Sequence, residues 1–571
     1  MTQFVRRLSD GMQAIRSHPR FTVFLAVALV LILLGAGLSI TFYVDLQDSQ
    51  PVKIAPLAKH ADIRKNTMET FVQSLSTKLP KDEKSQPASG CSSLPVDWVT
   101  KENQKPGVKM TMADWHNLDL ANPRGSALWL DQISVSCGQR VGIHASTYLS
   151  NLAANGQRTF EALRIGWYGG SGARLVWKSQ PIKLKEQRIP VVRSAERMVE
   201  THWKTTLQFT VGHDWTPGFY LIASVSPRGD IESVSPLIVR SPLGSSKLVL
   251  IHSTMTWAAY NTYGGRSLYL GPGGSIVSRR IERSRIVSLD RPMEGSGALH
   301  LDRDGITLVQ FVEKQGLNVD QISDINLDQW PSISTHYSGV VFSGHAEYFT
   351  RRMFDTVIAD RNLGINLAFL GANNAYWQTR LGSSPLGPNR RVIIYRSTTE
   401  DPMTSRTQVT VKFQDPHVNT PPNLLTGTQT NGVHVYGSVH AVAIPKWLKI
   451  PANSHINGIS GDTEIDSTVR NVAQPPNVHV IFTGRMEFRD SPGAGGEEVS
   501  KFERIPIQKS VWFSTPSGSA VFDAGLTTWT CNLMPSCESH SVDSTTEKTM
   551  QAVTTQILTL WQKRAVGLTL K

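Results

Sequence analysis

The chain has 571 residues, of which 18% are charged and 40% hydrophobic, a balance that excludes a disordered polypeptide and leaves room for two or three domains. Its 58 lysines and arginines outnumber 46 aspartates and glutamates, for a formal charge of +12, which favours anionic partners. The basic residues are dispersed, in nothing longer than pairs such as Arg279-Arg280 and Arg351-Arg352, so nucleic acid is not an expected partner.

In chain order, residues 22–44 carry no charge and reach the roughly 20 residues a helix needs to cross a bilayer. Arg6, Arg7, Arg16 and Arg20 precede this span and Asp45 and Asp48 follow it. The positive-inside rule then predicts a cytoplasmic tail at 1–21, a transmembrane signal anchor at 22–44 and an extracytoplasmic remainder. A cleaved signal peptide is the rival reading, but its apolar region normally stops at about 7–15 residues before a small-x-small site. Residues 45–115 read as stalk and linker, with a short helix over 58–79 and a flexible stretch from Pro80 to Pro87. All four cysteines, Cys91, Cys137, Cys531 and Cys537, follow the apolar span, where oxidation is permitted. Cys531 and Cys537 are close enough to close a small loop, leaving Cys91 and Cys137 as the other pair, although three pairings are formally possible.

From 116 to 243 the pattern is of short alternating runs, such as Arg140-Val-Gly-Ile-His-Ala and Gly218-Phe-Tyr-Leu-Ile-Ala-Ser-Val225, separated by glycine, proline and asparagine. Such runs predict an antiparallel β-sandwich, with Trp167, Tyr168, Trp177, Trp203 and Trp215 as packing residues. From 244 to 571 apolar runs alternate with amphipathic segments. Strands are expected at 247–252, 338–343, 365–370 and 391–395, and helices at 305–315, 347–362 and 544–564, which predicts a parallel sheet flanked by helices.

Two polar clusters end the first two of those strands. One is Trp257-Ala-Ala-Tyr-Asn-Thr-Tyr-Gly-Gly-Arg-Ser-Leu-Tyr269 and the other Gly344-His-Ala-Glu-Tyr-Phe349. The carboxyl ends of parallel strands are where open α/β sheets bind ligands, so phenols, an imidazole and a carboxylate here read as site chemistry. Glu347 is expected near a helix N-terminus, where the dipole favours a carboxylate. No GxSxG elbow, HExxH helix or GxxxxGK[ST] loop is present, which sets aside those hydrolase and nucleotide-binding classes, and the glycine-rich turn Gly271-Pro-Gly-Gly-Ser275, with no lysine after it, reads as a plain loop.

Together with Arg164-Ile-Gly-Trp-Tyr-Gly-Gly-Ser-Gly-Ala-Arg174, Ser288-Leu-Asp-Arg-Pro292, Gly371-Ala-Asn-Asn-Ala-Tyr-Trp377 and Ser517-Gly-Ser-Ala-Val-Phe-Asp-Ala-Gly525, these clusters resemble the large-subunit family of N,N-dimethylformamidase over residues 120 to 565. The resemblance implies a β-sandwich joined to a flavodoxin-like, class I glutamine amidotransferase-like parallel-sheet domain. It also implies a mononuclear iron held by two tyrosine phenolates and a glutamate, a hard donor set suited to a ferric Lewis acid. Glu347 matches the metal-binding glutamate, His345 a histidine that either supports the metal ligands or transfers protons, Asn373 a substrate-orienting asparagine, and Glu464, in Gly461-Asp-Thr-Glu-Ile-Asp466, a carboxylate that serves as base. Tyr260 is the expected first phenolate, with Tyr269 or Tyr263 as the second. The chain departs from the family's pattern at Met293, where relatives often carry tyrosine, at Ala346, where aspartate is common, and at Phe349, which replaces tryptophan.

Two functions follow as expectations. One is a membrane-anchored, exported hydrolase of a non-peptide carbon–nitrogen amide bond. The other is a catalytically lapsed relative that binds a ligand or envelope component. The expected partners are a small-molecule amide or envelope ligand and the lipid bilayer through residues 22–44, with room for a homo-oligomer.

Overall fold

The computed structural model describes residues 78–84, 89–109, 125–147, 156–189, 191–192, 194–459, 463–469, 473–488, 505–537 and 540–570. All lie within one compact unit, Met68–Lys571. Among them no helix is long and apolar enough to cross a membrane. This corrects the expectation of a single-pass protein anchored in a bilayer with its N-terminus in the cytoplasm; residues 22–44 and most of the stalk lie outside the described residues. The longest described helix, Ser544–Trp561, buries Met550, Val553, Ile557, Leu558 and Trp561 and carries Glu547 and Lys548 in its first turns, an amphipathic pattern made for a protein core.

Between 126 and 239 the chain builds two facing sheets. Strands Ser126–Leu130, Arg140–Thr147 and Leu207–Thr210 form one, while Gln157–Ile165, Gly172–Lys178, Gly218–Val225 and Ile231–Val239 form most of the other. Leu128, Val141 and Ile143 meet Phe160, Tyr220 and Ile222 in a shared apolar core. Trp215 stacks between Phe209 and Tyr220, and Trp203 meets Tyr263 edge-on. The Cys91–Cys137 disulfide ties the segment before these sheets to their rim, and Cys531–Cys537 closes its own six-residue loop.

Strand Gly218–Val225 is buried throughout. Its side chains alternate across the sheet, so Tyr220 and Ile222 enter the core just described while Phe219, Leu221, Ala223 and Val225 enter a second one with Leu248, Leu250, Trp257 and Phe311. Across the same junction, Arg164 Nη2 meets Glu313 Oε1 at 2.7 Å with both side chains fully buried.

The second core lines a nine-stranded sheet. Val319–Ser323, Leu248–His252, Gly339–Phe342, Asn366–Phe369 and Ala520–Asp523 run parallel in that spatial order. Ile507–Ser514, His479–Phe488, Val435–Ala441 and His455–Ile459 extend it antiparallel. The expectation of a flavodoxin-like, class I glutamine amidotransferase-like parallel domain is thereby corrected: the sheet is mixed and the whole is β-rich. The added strands alternate buried and exposed positions, as antiparallel strands with one wet face do. The strand expected at 391–395 also leaves this sheet. Gly387–Ile393 folds back on Trp377–Ser384 as a hairpin in a separate four-stranded sheet.

Two smaller corrections concern loops. Part of the expected flexible linker is pinned: Asp82 accepts from the Ser332 backbone N–H at 3.0 Å and its hydroxyl at 2.6 Å. Ser275, in a glycine-rich turn read as a plain loop, caps a short helix, Ile276–Ile281.

Arg164→Met would strand the Glu313 carboxylate in the core, with Asn103 Nδ2 at 2.9 Å as a neutral partner. Losing one member of a buried pair costs about 3–5 kcal/mol, a drop that urea unfolding should register. A second test is Asp360, whose Oδ1 accepts from Ser334 Oγ at 2.7 Å. Burial pushes its carboxyl up to about 8. An acid raised in the folded state gives stability that is complete at low pH and is lost as pH climbs through the folded value, at most about 1.4 kcal/mol per unit. Asp360→Asn should remove that slope between pH 4 and 8 and raise the melting temperature at pH 9 above that of the unmodified protein.

Candidate functional site

Leu248–His252 leads into helix Thr254–Tyr260, which ends by presenting Tyr260. The next turn is locked from behind. Asn261 Oδ1 accepts from the backbone of Tyr263 and Glu294 at 3.1 Å each, and its Nδ2 donates to Pro292 O at 2.8 Å. The buried guanidinium of Arg291 donates to the carbonyls of Tyr263, Arg266 and Asn261 at 2.9–3.0 Å. The Asp-Arg-Pro motif is thus a scaffold that returns the chain so that Tyr269 stacks beside Tyr260, with ring centroids 4.3 Å apart.

Gly339–Phe342 delivers the second cluster. Gly344 has φ +56, and a Cβ there would meet the Asp304 carboxylate at 2.3 Å, so only glycine fits. Glu347 N–H donates to Thr256 Oγ1 at 3.2 Å. The expected placement of Glu347 at a helix N-terminus is corrected: strand Tyr348–Thr350 intervenes, and Thr350 caps helix Arg351–Asn362 through Met353 N–H. Glu347 is therefore held by sheet pairing and turns, not by a helix dipole.

These segments and four others, at 296–303, 373–376, 430–434 and Glu464, line a cavity of about 150 Å³. Tyr269 Oη donates to Glu347 Oε2 at 2.5 Å, Tyr348 Oη donates to Tyr269 Oη at 2.8 Å, and Arg396 Nη2 donates to Tyr348 Oη at 2.6 Å. The Arg396 guanidinium also lies over the rings of Tyr269 and Trp377, at 4.3 and 4.6 Å. His345 Nε2 stands 3.4 Å from Glu347 Oε2 and 3.8 Å from Glu464 Oε2. Asn373 Nδ2 donates to Glu464 Oε2 at 2.6 Å, and Thr430 Oγ1 donates to Asn373 Oδ1. Asn373 itself adopts φ +54, with its N–H held by both Asp466 oxygens at 2.9 and 3.0 Å. All six residues singled out in the sequence for catalysis or metal binding therefore meet here: Tyr260, Tyr269, His345, Glu347, Asn373 and Glu464. Tyr263 does not; it packs on Trp203. Met293 packs against the core and is not a cavity wall.

Burial, and then the charge of Glu347, hold both Tyr260 and Tyr269 well above the ordinary phenol range. Burial pushes Asp466 up to about 7, and burial followed by the Asp466 charge pushes Asp523 well up, so the turn at Asn373 rests on two buried, mutually interacting acids. Among the described residues no group of three or more His, Cys, Asp or Glu is arranged for a metal, so a metal here would take phenol oxygens. Tyr269 and Glu347 already touch through oxygen, with the Tyr260 ring beside them, and a cation seated among them would favour the phenolates that burial disfavours. The donor set fits a hard cation.

Sequence reading assigned no role to His300, Arg303, Tyr376, Thr430 and His434, which also line the cavity, nor to Tyr348 and Arg396. Tyr348 and Asp466 stand inside quoted motifs, which was the available signal. His300 and Arg303 lie on a helix far from either cluster in sequence and gave none.

No curated protein matches the chain. Among solved structures it is similar to a cycloisomaltooligosaccharide glucanotransferase of Paenibacillus sp. complexed with cycloisomaltoheptaose. The identity is 9%, over 43% of this chain and 44% of that one, less than half its length, with a TM-score of 0.15, a likeness too slight to carry an argument. The family model described as N,N-dimethylformamidase beta subunit-like, C-terminal, matches residues 159–542, a span that holds most of the two facing sheets, both polar clusters and every wall of the cavity. The chain belongs to the N,N-dimethylformamidase beta subunit-like family.

Proposed function

We propose that the protein hydrolyses a non-peptide carbon–nitrogen amide bond of a small molecule in this cavity, with iron as cofactor. The observation that carries the reading is the convergence of a phenol–carboxylate contact, Tyr269 with Glu347 at 2.5 Å, and a second carboxylate, Glu464, bridged to it by His345. Glu347, Tyr260 and Tyr269 would hold a ferric ion, which when bound supplies Lewis-acid polarisation of the carbonyl and a more acidic water.

The chain's own groups then divide the proton work. Glu464, fixed by Asn373 Nδ2, takes a proton from the attacking water as its oxygen bonds to the carbonyl carbon. His345 reaches both carboxylates and hands a proton to the amide nitrogen as the carbon–nitrogen bond breaks, giving a carboxylic acid and an amine. Asn373 keeps the base oriented, and the half-buried rings of Tyr260 and Tyr269 shield the reacting face from bulk water. Tyr269 stands beside Glu347 where Met293 does not, so the departure at 293 gives the lapsed-relative reading no support.

Glu347→Gln keeps the size and removes the anionic donor. Bound iron per chain should fall to background by elemental analysis while circular dichroism is unchanged, and Tyr260→Phe should lower occupancy without opening a cavity. An unmodified protein that never holds iron would overturn the metal-dependent reading. Glu464→Gln should leave iron content intact and lower kcat on a panel of small formamides and acetamides by about 10²–10⁴-fold. A variant as fast as the parent would remove Glu464 from the mechanism.

A further inference from the structure

The wall of the cavity opposite the strand ends is one helical run whose hydrogen bonding changes midway. Ser296–His300 and Thr307–Lys314 are α-helical, and Leu301–Ile306 between them forms wider π turns, a feature that concentrates at functional sites. Ser296, Leu299, His300 and Arg303 face the cavity, while Leu301 and Ile306 enter the core.

Arg303 is 4% exposed. Among the described residues no carboxylate lies within ion-pairing distance of it, and its Nε has no hydrogen-bond partner. Its Nη2 approaches His300 Nδ1 at 3.3 Å, yet that same nitrogen faces Asp304 Oδ2 at 3.1 Å, and one ring nitrogen cannot donate to the acid and accept from the guanidinium together. Other buried arginines differ. Arg158, Arg164 and Arg390 each face a carboxylate. Arg240 and Arg361 serve hydroxyls or a backbone carbonyl away from the cavity. Arg303 combines burial, open donors and a place on the cavity wall.

A desolvated guanidinium with open donors is costly unless an anion meets it, and its planar fork matches a carboxylate. From Arg303 the wall continues through His300 to the Tyr260 ring, 4.1 Å from the imidazole, then the Tyr269 ring and Glu347. The anion seat at Arg303 and the carboxylate of Glu347 are therefore linked along one continuous wall by the His300 imidazole and two phenol rings. Resting on the hydrolase reading of this cavity, we infer that its substrate is an amide that also carries a carboxylate, of the N-acyl amino acid class, with the carboxylate on Arg303 and the amide carbonyl toward Glu347.

The test compares N-acetylglycine with N-acetylglycinamide, which differ only in that charge, by calorimetric binding to the full chain and by acetate release. N-acetylglycine should bind about 10–100-fold more tightly, the range of a charge-assisted contact. Arg303→Met should erase the preference, and Arg303→Lys should keep part of it, retaining charge but losing the fork. Equal affinity for the two ligands, no measurable binding of either, or a preference that survives Arg303→Met overturns the inference. If the methionine variant does not fold, the ligand comparison in the unmodified protein and the lysine variant decides. Acetate release from both ligands without preference would sink the carboxylate and keep the hydrolase. An Arg303-dependent preference with no acetate release would do the reverse.

Discussion

Strand Gly218–Val225 commits alternate side chains to two different cores, and that double burial fixes how the molecule is assembled. A slip of one residue would exchange Phe219, Leu221 and Ala223 with Tyr220 and Ile222 and spoil both cores at once. The strand therefore locks the paired sheets onto the nine-stranded one. Arg164 secures the same junction through Glu313, which lies on the helical run that carries His300 and Arg303. The same run presents Asp304 to Gly344, and Gly344 leads directly into His345 and Glu347. Packing between the sheets thus reaches the cavity through one helix, with no flexible segment between.

Apart from Arg303, the polar groups that back the two carboxylates of the cavity satisfy one another. Phenol, phenol and guanidinium back Glu347 in sequence; Asn373 and Thr430 back Glu464; the Asp466–Asp523 pair backs Asn373. Each layer holds the next in a single orientation, which suits chemistry that needs donors fixed before substrate arrives. Burial raises the carboxyls of Asp304, Asp324 and Asp466, so the interior around the site holds acids that titrate nearer neutrality than they would in water.

Much of the framework was legible in the sequence because three of the parallel strands, Leu248–His252, Gly339–Phe342 and Asn366–Phe369, are short, mostly apolar runs that fall within the expected segments, whereas Val319-Asp-Gln-Ile-Ser323 is interrupted by two polar residues and was not expected. Partner choice was not legible. The run at 391–395 looks the same whether it joins a parallel sheet or turns back at Gly387, and the alternation of 435–441 and 479–488 went unread as a sheet extension. Tyr348-Phe-Thr350 merged with the following helix because three residues are too few to show a period. The clusters at strand ends announced Tyr260, Tyr269, His345 and Glu347, and motif resemblance added Asn373 and Glu464. Arg303 and Arg396 come from distant elements, and a π turn shifts the helical period by which the first would be sought.

The contact between Gly344 and Asp304 constrains how this scaffold can diverge. A side chain at 344 has no space unless position 304 gives way, and shortening 304 removes the carboxylate that faces His300. Lineages derived from this chain must then change both positions together or neither, so drift at the strand end is tied to drift on the facing helix.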